Sequence, residues 1–285
     1  MFAIIGLLIV FGGVIGGFVM HGGPIPVLIQ PSEFVIMAGA AIGSLLVMSP
    51  LKTIKAMVPQ MMKVFGSGPS KKHFLDLLVM MYEIFNVARK DGLVGLESHI
   101  EKPFESSILK KYPAFLKDHH AVHFFSDTMR VIITGAISAQ DLEALMDLDL
   151  DTHHEEQAKP AESIQTVADS MPGFGIVAAV LGIVVTMGAI GGPPEEIGEK
   201  VAAALIGTFL GILLCYGFFQ PIAKNIQALN EEGGKYYACL KQGMLGFQKG
   251  FAASIAVEFA RRAIFASSRP TFEEVENACR QTRAK

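Results

Sequence analysis

Few residues in this chain have the types and spacing to do chemistry, and most of those fall short of a site. Five histidines, His119, His120, His123, His153 and His154, include members four apart, a helical spacing that suits zinc. No cysteine or glutamate completes a recognisable ligand spacing around them. Cys215, Cys239 and Cys279 are an odd count at wide spacing, which argues against a disulfide framework and for reduced thiols. No serine or cysteine carries a nucleophile motif, and no Walker or dinucleotide loop occurs. Catalysis, a bound metal and a cofactor are therefore not expected. The polar groups set inside apolar sequence are Ser44, Thr186, Thr208 and Tyr216. The plainest use of such a threonine is a hydrogen bond back to its own helix's carbonyl.

The elements that must position these groups are dominated by apolar runs. The chain has 285 residues, of which 51% are hydrophobic and 18% charged, with a mean hydropathy of +0.42. Soluble domains carry about 25% charged residues, so the deficit points to a membrane. A net charge of -3, with no basic block, excludes a nucleic-acid partner. Four runs are free of charge: Phe2–Met20, Phe34–Met48, Pro172–Ile190 and Val201–Phe219. Their lengths approach the roughly 20 residues that a bilayer core requires. The first lacks a basic n-region and a cleavage site, so it reads as a retained span and not a signal peptide. Short links rich in Gly and Pro, His21–Glu33 and Gly191–Lys200, join the spans in pairs. No Asp, Glu, Lys, Arg or His lies within the four runs as bounded here. A path for protons or sodium ordinarily uses such a group, so either no ions move or a partner helix supplies the carboxylate.

Charge bias sets the orientation. Lys52, Lys55, Lys63, Lys71 and Lys72 follow the second span and Lys224 follows the fourth, whereas the links hold only Lys200. The insert, the tail and both termini are thus expected on the cytoplasmic side. The resulting division is 1–50 (spans one and two), 51–171 (cytoplasmic helical domain), 172–221 (spans three and four) and 222–285 (cytoplasmic helical tail). Residues 51–65 set Leu51, Ile54, Met57, Met61 and Val64 against lysines, an amphipathic pattern suited to a membrane surface. Residues 71–90 predict a helix ended by Asp91-Gly92. Ser138 and Asp141 read as a capped helix start, and Thr271 with Glu274 as a capping box. The pairs Gly12/Gly16, Gly13/Gly17 and Gly207/Gly211 have the spacing of close helix packing. Pro172 and Pro221 read as helix boundaries or hinges. With no strand-period alternation beyond a few residues, the fold class is all-α: a membrane protein of four transmembrane helices with a large helical insert and a helical tail.

Three stretches together resemble the MotA/PomA family of flagellar motor stator subunits: Met171–Gly182, Ile206–Gly217 followed by Pro221, and Ala256–Arg262 running on to Ser267–Phe272. The span order of pair, long insert, pair and tail matches as well, and the resemblance covers nearly the whole chain. It implies an inner-membrane subunit that surrounds a single-span, peptidoglycan-anchored partner of the MotB type. That partner supplies the missing aspartate, and ion passage drives the cytosolic part against the rotor protein FliG. Five subunits around a partner dimer is the arrangement it implies. The resemblance places rotor-facing charges on Arg89, with Lys90 beside it, on Glu97 and on Asp149. It places the ion pathway and hinge at Pro172, Ala179, Thr186, Thr208 and Pro221. Sodium-type relatives tend to carry threonine where Ala179 stands, so the resemblance implies proton coupling. The alternative is an ExbB/TolQ-like energiser of another envelope process, against which the count of four spans speaks. A membrane scaffold without ion coupling is a third reading.

Overall fold

The structure is a computed structural model that describes residues 2–66, 68–135, 137–188 and 190–283. Among the described residues there is no strand. The helices are α1 (Phe2–Met20), α2 (Pro31–Met48), α3 (Leu51–Lys63), α4 (Lys71–Asp91), α5 (Val94–Glu101) and α6 (Pro113–Lys117). They continue as α7 (His119–Thr134), α8 (Ala139–Met187), α9 (Pro194–Leu214), α10 (Gln220–Gln248), α11 (Ala253–Arg262) and α12 (Phe272–Arg283). Four helical stretches are long and apolar enough to cross a membrane: Phe2–Met20, Ile25–Met48, Ala139–Met187 and Pro194–Gln248.

The chain divides into two compact units. The first, Met1–Ser67 with Gln157–Leu229, holds the apolar runs. Here α2 packs on α9, and Met37 joins Ala168, Met171, Ala178 and Leu210 in a buried cluster. The amphipathic α3 buries Met57 in a second cluster with Ala161, Ile164, Ile222 and Ile226. Protein thus covers that part of the face expected at a membrane surface. Gln60 secures it by donating to the Gln157 carbonyl at 3.1 Å and to Gln157 Oε1 at 3.0 Å. By contrast α1 has no buried residue, and a Cβ built on Gly12, Gly13, Gly16 or Gly17 meets nothing within 4 Å. Among the described residues nothing approaches those glycines, unlike Gly207 and Gly211.

Both prolines of the apolar part behave differently from the boundaries expected. Helix α8 runs unbroken through Pro160 and Pro172. Pro221 lies inside a further continuous helix, just beyond a π turn at Cys215–Phe219. The reason is local. Proline has no N–H to offer the carbonyl four residues back, and the π turn shifts the ladder so that Gln220 N–H donates to the Cys215 carbonyl, five residues back.

The second unit, Gly68–Glu156 with Asn230–Lys285, has its own core. Helix α4 is its spine: Leu77, Leu78, Met80, Met81, Ile84 and Phe85 are all buried, and α5, α11 and α12 pack against it. Gly92, at φ +74°, ends α4 where the Asp91-Gly92 signal predicts. Asp141 N–H donates to Ser138 Oγ at 3.1 Å, so the expected cap forms. Thr271 N–H donates to Glu274 Oε2 at 2.7 Å and Glu274 N–H to Thr271 Oγ1 at 3.2 Å, the two bonds of a capping box. One break was not signalled strongly in the sequence: Gly250, at φ +77°, separates α10 from α11.

The histidines do not converge as ligands. His120 and His153 stack face to face, with ring centroids 3.6 Å apart, and Tyr237 stands edge-on to both at 5.0 Å. His119 lies instead against Phe104. Burial lowers the pKa of His153, which lies in the charged part of α8 well before its apolar stretch, and likewise that of His99. An unfolded chain therefore takes up protons below about pH 6.5 that the folded unit resists. Stability from these groups is present above that pH and is lost as pH falls below it. We expect the thermal midpoint of the detergent-solubilised protein to fall by a few degrees between about pH 7.5 and about pH 5.5. His153→Phe, which keeps a ring in the stack, should flatten that dependence, and an equally steep profile in the variant would contradict the assignment.

Candidate functional site

In the apolar unit the groups of interest meet where α8 crosses α9. The crossing is built of glycines whose backbones touch. A Cβ added at Gly175 would lie 2.5 Å from the Gly207 carbonyl oxygen, and one at Gly211 would lie 2.6 Å from the Met171 carbonyl oxygen and 3.0 Å from Gly175 Cα. Gly182 is similarly closed by Ala204, with its Cβ position 2.8 Å from that of Ala204. Small residues at four-residue spacing thus bring the two backbones into direct contact. The sequence showed Gly207 and Gly211, whereas their counterparts on α8 are visible only in the fold.

Of the expected ion-path residues, Pro172, Ala179, Thr186 and Thr208 lie on the two crossing helices, and Pro221 lies beyond them. Ala179 is buried, and its backbone nitrogen is 3.1 Å from where a Gly207 Cβ would stand. Ala179, Gly182 and Thr186 follow one stripe of α8, at helical spacings of three and four residues. Thr186 is buried and donates its hydroxyl to the Gly182 carbonyl at 2.8 Å, the bond back to its own helix. Thr208 is half-buried on α9. Pro172 is half-buried on α8, next to the Met171 carbonyl that Gly211 approaches, and Pro221 is exposed beyond the π turn.

One residue of this region escaped the sequence reading. Glu33 was placed in a link, but α2 begins at Pro31 and carries Glu33 in its first turn. The apolar helices therefore hold a carboxyl group after all. Glu33 is 4% exposed, and its Oε2 has no hydrogen-bond partner among the described residues. A Cβ at Gly207 would come within 2.5 Å of that oxygen, and one at Gly182 within 3.5 Å of Oε1. The signal that would have found it is Pro31, since proline favours the first position of a helix.

In the second unit Arg89 and Lys90 are exposed in the last turn of α4, and Glu97 is exposed in the first turn of α5. The turn at Gly92 brings these two helix ends close in sequence, and α4 packs on α5. Asp149 is exposed on α8. No hydrogen bond or ion pair among the described residues joins the four. All four side chains are thus open to solvent. The arginines of Ala256–Arg262 and Ser267–Phe272 act inwardly instead. Arg261 donates to both carboxylate oxygens of Glu258, at 2.7 and 2.8 Å, and to the Pro270 carbonyl at 3.0 Å. Arg269 donates to the Ile264 carbonyl at 2.7 and 2.9 Å. That part of the resemblance is structural.

Comparison with known proteins covers both units. Residues 4–92 match the family model described as Motility protein A N-terminal, and residues 117–237 match that of the MotA/TolQ/ExbB proton channel family. Motility protein A of Escherichia coli (strain K12) is 42% identical over 98% of this chain and 95% of its own length. The Chemotaxis protein LafT of Vibrio parahaemolyticus is 34% identical over 95% of this chain and 96% of its own. Among solved structures, the C. jejuni MotAB structure superposes with a TM-score of 0.75 over 93% of this chain and 95% of the matched chain, at 21% identity. The flagellar MotAB stator complex from Bacillus subtilis gives 0.71 over 90% of this chain and 92% of the matched chain, also at 21% identity.

Proposed function

The chain belongs to the motility protein A family, within the MotA/TolQ/ExbB proton channel family, and from that membership we propose that it is a flagellar motor stator subunit. It is a multi-pass membrane protein that acts with a MotB-type partner and couples ion flow to torque on the rotor. What carries the reading is the match to motility protein A over 98% of the chain, which takes in the charged unit as well as the apolar helices. Ion conduction alone would not call for likeness in a charged unit that holds so much of the chain. The ExbB/TolQ-like alternative lacks that end-to-end support, and the N-terminal match over residues 4–92 is to motility protein A.

The finer parts of the reading rest on the physical arguments above. The protein sits in the bacterial inner membrane with both termini cytoplasmic, as the lysine bias after the second span suggests. The coupled ion is the proton. Ala179, where a threonine would offer a sodium ion an oxygen ligand, supports that choice. Pro172 and Pro221 act as hinges along the path, and Thr208 lines it. Arg89, Lys90, Glu97 and Asp149 face the rotor protein FliG, as their exposure allows. Several copies, five in the expected arrangement, surround a partner dimer, and the α1 glycines, which nothing approaches among the described residues, suit contact with another subunit. The protein acts by ion-driven conformational change and not as an enzyme.

The test is complementation of a stator-deleted flagellated host by this chain with and without its MotB-type partner. The pair should restore swimming, and speed should not follow external sodium when proton-motive force is held fixed. Arg89→Glu and Glu97→Lys should each reduce swimming severely while protein levels stay normal, because both residues are exposed and support no core. A membrane-inserted pair that never turns a motor would overturn the stator reading. Charge reversals without effect would remove the rotor-facing assignment alone.

A further inference from the structure

We propose that Glu33 is a proton-binding carboxyl group of the ion path, carried by this chain itself and seated in the small-residue cradle where α2 meets α8 and α9. The inference rests on the ion-coupling reading above and adds to it a second acid besides the one that the partner supplies.

The geometry carries the assignment. Glu33 is 4% exposed, and its Oε2 has no hydrogen-bond partner among the described residues. The carboxyl fills space that a side chain on Gly207 would claim, since that Cβ position lies 2.5 Å from Oε2, and Oε1 lies in ordinary contact with the Gly182 Cβ position at 3.5 Å. Ala204, 1% exposed, closes the cradle beside Gly182, and Ala178 and Ala179 stand behind Gly207. Glycine at position 207 leaves room for the carboxyl. The facing elements offer no counter-ion: residues 171–187 of α8 and 201–214 of α9 contain no Asp, Glu, Lys, Arg or His. The nearest ionisable residues along α9 are Glu199 and Lys200, and Glu33 is the only ionisable residue of α2. A carboxyl group shut away without a partner is costly unless it takes up a proton, a cation or water, and such groups in membrane helices belong to proton relays and ion paths.

Two other uses of Glu33 fit less well. An acidic residue in the first turn favours the positive end of its helix, but no side-chain cap bond forms at this end of α2. The carboxyl is instead turned into the packing against α8 and α9. A metal cation needs several oxygen ligands, whereas the cradle residues Gly182, Gly207, Ala178, Ala179 and Ala204 carry no side-chain oxygen. The ligand of this chemistry is therefore a proton. The step balances simply: the Glu33 carboxylate takes a proton from water on the side where α2 begins, then yields it to the next acceptor of the path, regenerating the carboxylate.

The first experiment uses the purified complex of this chain with its MotB-type partner. A hydrophobic carbodiimide, which reacts with protonated carboxyl groups, should modify Glu33, and peptide mass spectrometry should show the labelling decline as pH is raised. An unlabelled Glu33, or labelling that ignores pH, would overturn the proposal. The second uses motors. At wild-type protein levels, Glu33→Gln should lose the dependence of swimming speed on external pH at fixed proton-motive force, while Glu33→Asp should retain it. A glutamine variant with the wild-type profile would also overturn the proposal. If glutamine prevents assembly, the labelling of the wild-type complex decides. If the wild-type pair turns no motor, the stator reading fails, and labelling still decides whether Glu33 binds a proton.

Discussion

Gly211→Val will leave little of this protein in the membrane. At this position the opposing surface is backbone: the Met171 carbonyl oxygen stands 2.6 Å from where a Cβ would go, and Gly175 Cα stands 3.0 Å away. A flexible side chain can swing aside, but a helix backbone cannot. Valine adds three carbons, so α8 and α9 must separate, which also loosens Gly207 against Ala178 and Ala179. Overpacking a well-filled core costs about 1–3 kcal/mol, and a rigid backbone neighbour puts this case at or above the upper end. That is a large part of a typical stability of about 5–15 kcal/mol. Gly173→Val is the control, because Gly173 is exposed with nothing within 4 Å of its Cβ position. Membrane-fraction abundance and thermal unfolding in detergent should separate the two variants clearly. Equal abundance and equal midpoints would mean that the glycine crossing does not hold the helices together.

Arg261→Met should strongly destabilise the charged unit. Arg261 is largely buried, with a side-chain exposure of 12%, and it ties three things at once. It pairs with both oxygens of Glu258 on its own helix and holds the Pro270 carbonyl that precedes α12. Methionine keeps the bulk of the stem and removes every donor. Hydrogen bonds to charged groups contribute about 1.5–3 kcal/mol each, and Arg262 still holds one oxygen of Glu258. The expected loss is therefore about 2–4 kcal/mol. The bond from Arg261 is also the main cause that holds the Glu258 carboxyl below the usual carboxylate range. A depressed acid contributes stability that is present above its unfolded value, about pH 4.3, and is lost as pH falls through the folded one. Acid should thus narrow the gap in melting temperature between wild type and variant. Faster proteolysis between Ala263 and Thr271 in the variant would mark the loop as the part released. An unchanged midpoint at neutral pH would show that Arg262 and Arg269 suffice.

Much of the fold is legible in the sequence because its signals are local. The apolar runs at Phe2–Met20 and Val201–Phe219, the stop at Asp91-Gly92 and the caps at Ser138 and Thr271 all depend on residues within a few positions of one another. The prolines were harder. Pro172 and Pro221 carry a breaking tendency that is real, yet α8 continues through the first, and a π turn absorbs the second. Glu33 was misplaced for a related reason. The charge-free run appeared to start at Phe34, and only the proline at position 31 hinted that the helix began earlier.

By itself the sequence determined that this is an all-helical membrane protein with four apolar spans and a charged unit. Hydropathy, capping chemistry and charge bias are properties of neighbouring residues, and water or lipid reads them without reference to the rest of the chain. Only the tertiary structure decided that Gly175 and Gly182 of α8 meet Gly207, Gly211 and Ala204 of α9, that the α1 glycines meet nothing among the described residues, and that Glu33 turns inward onto that crossing. Those facts depend on which face of one helix meets which face of another. That choice is made by close contacts between residues far apart in sequence, where a single hydrogen atom in place of a side chain decides how near two backbones can come.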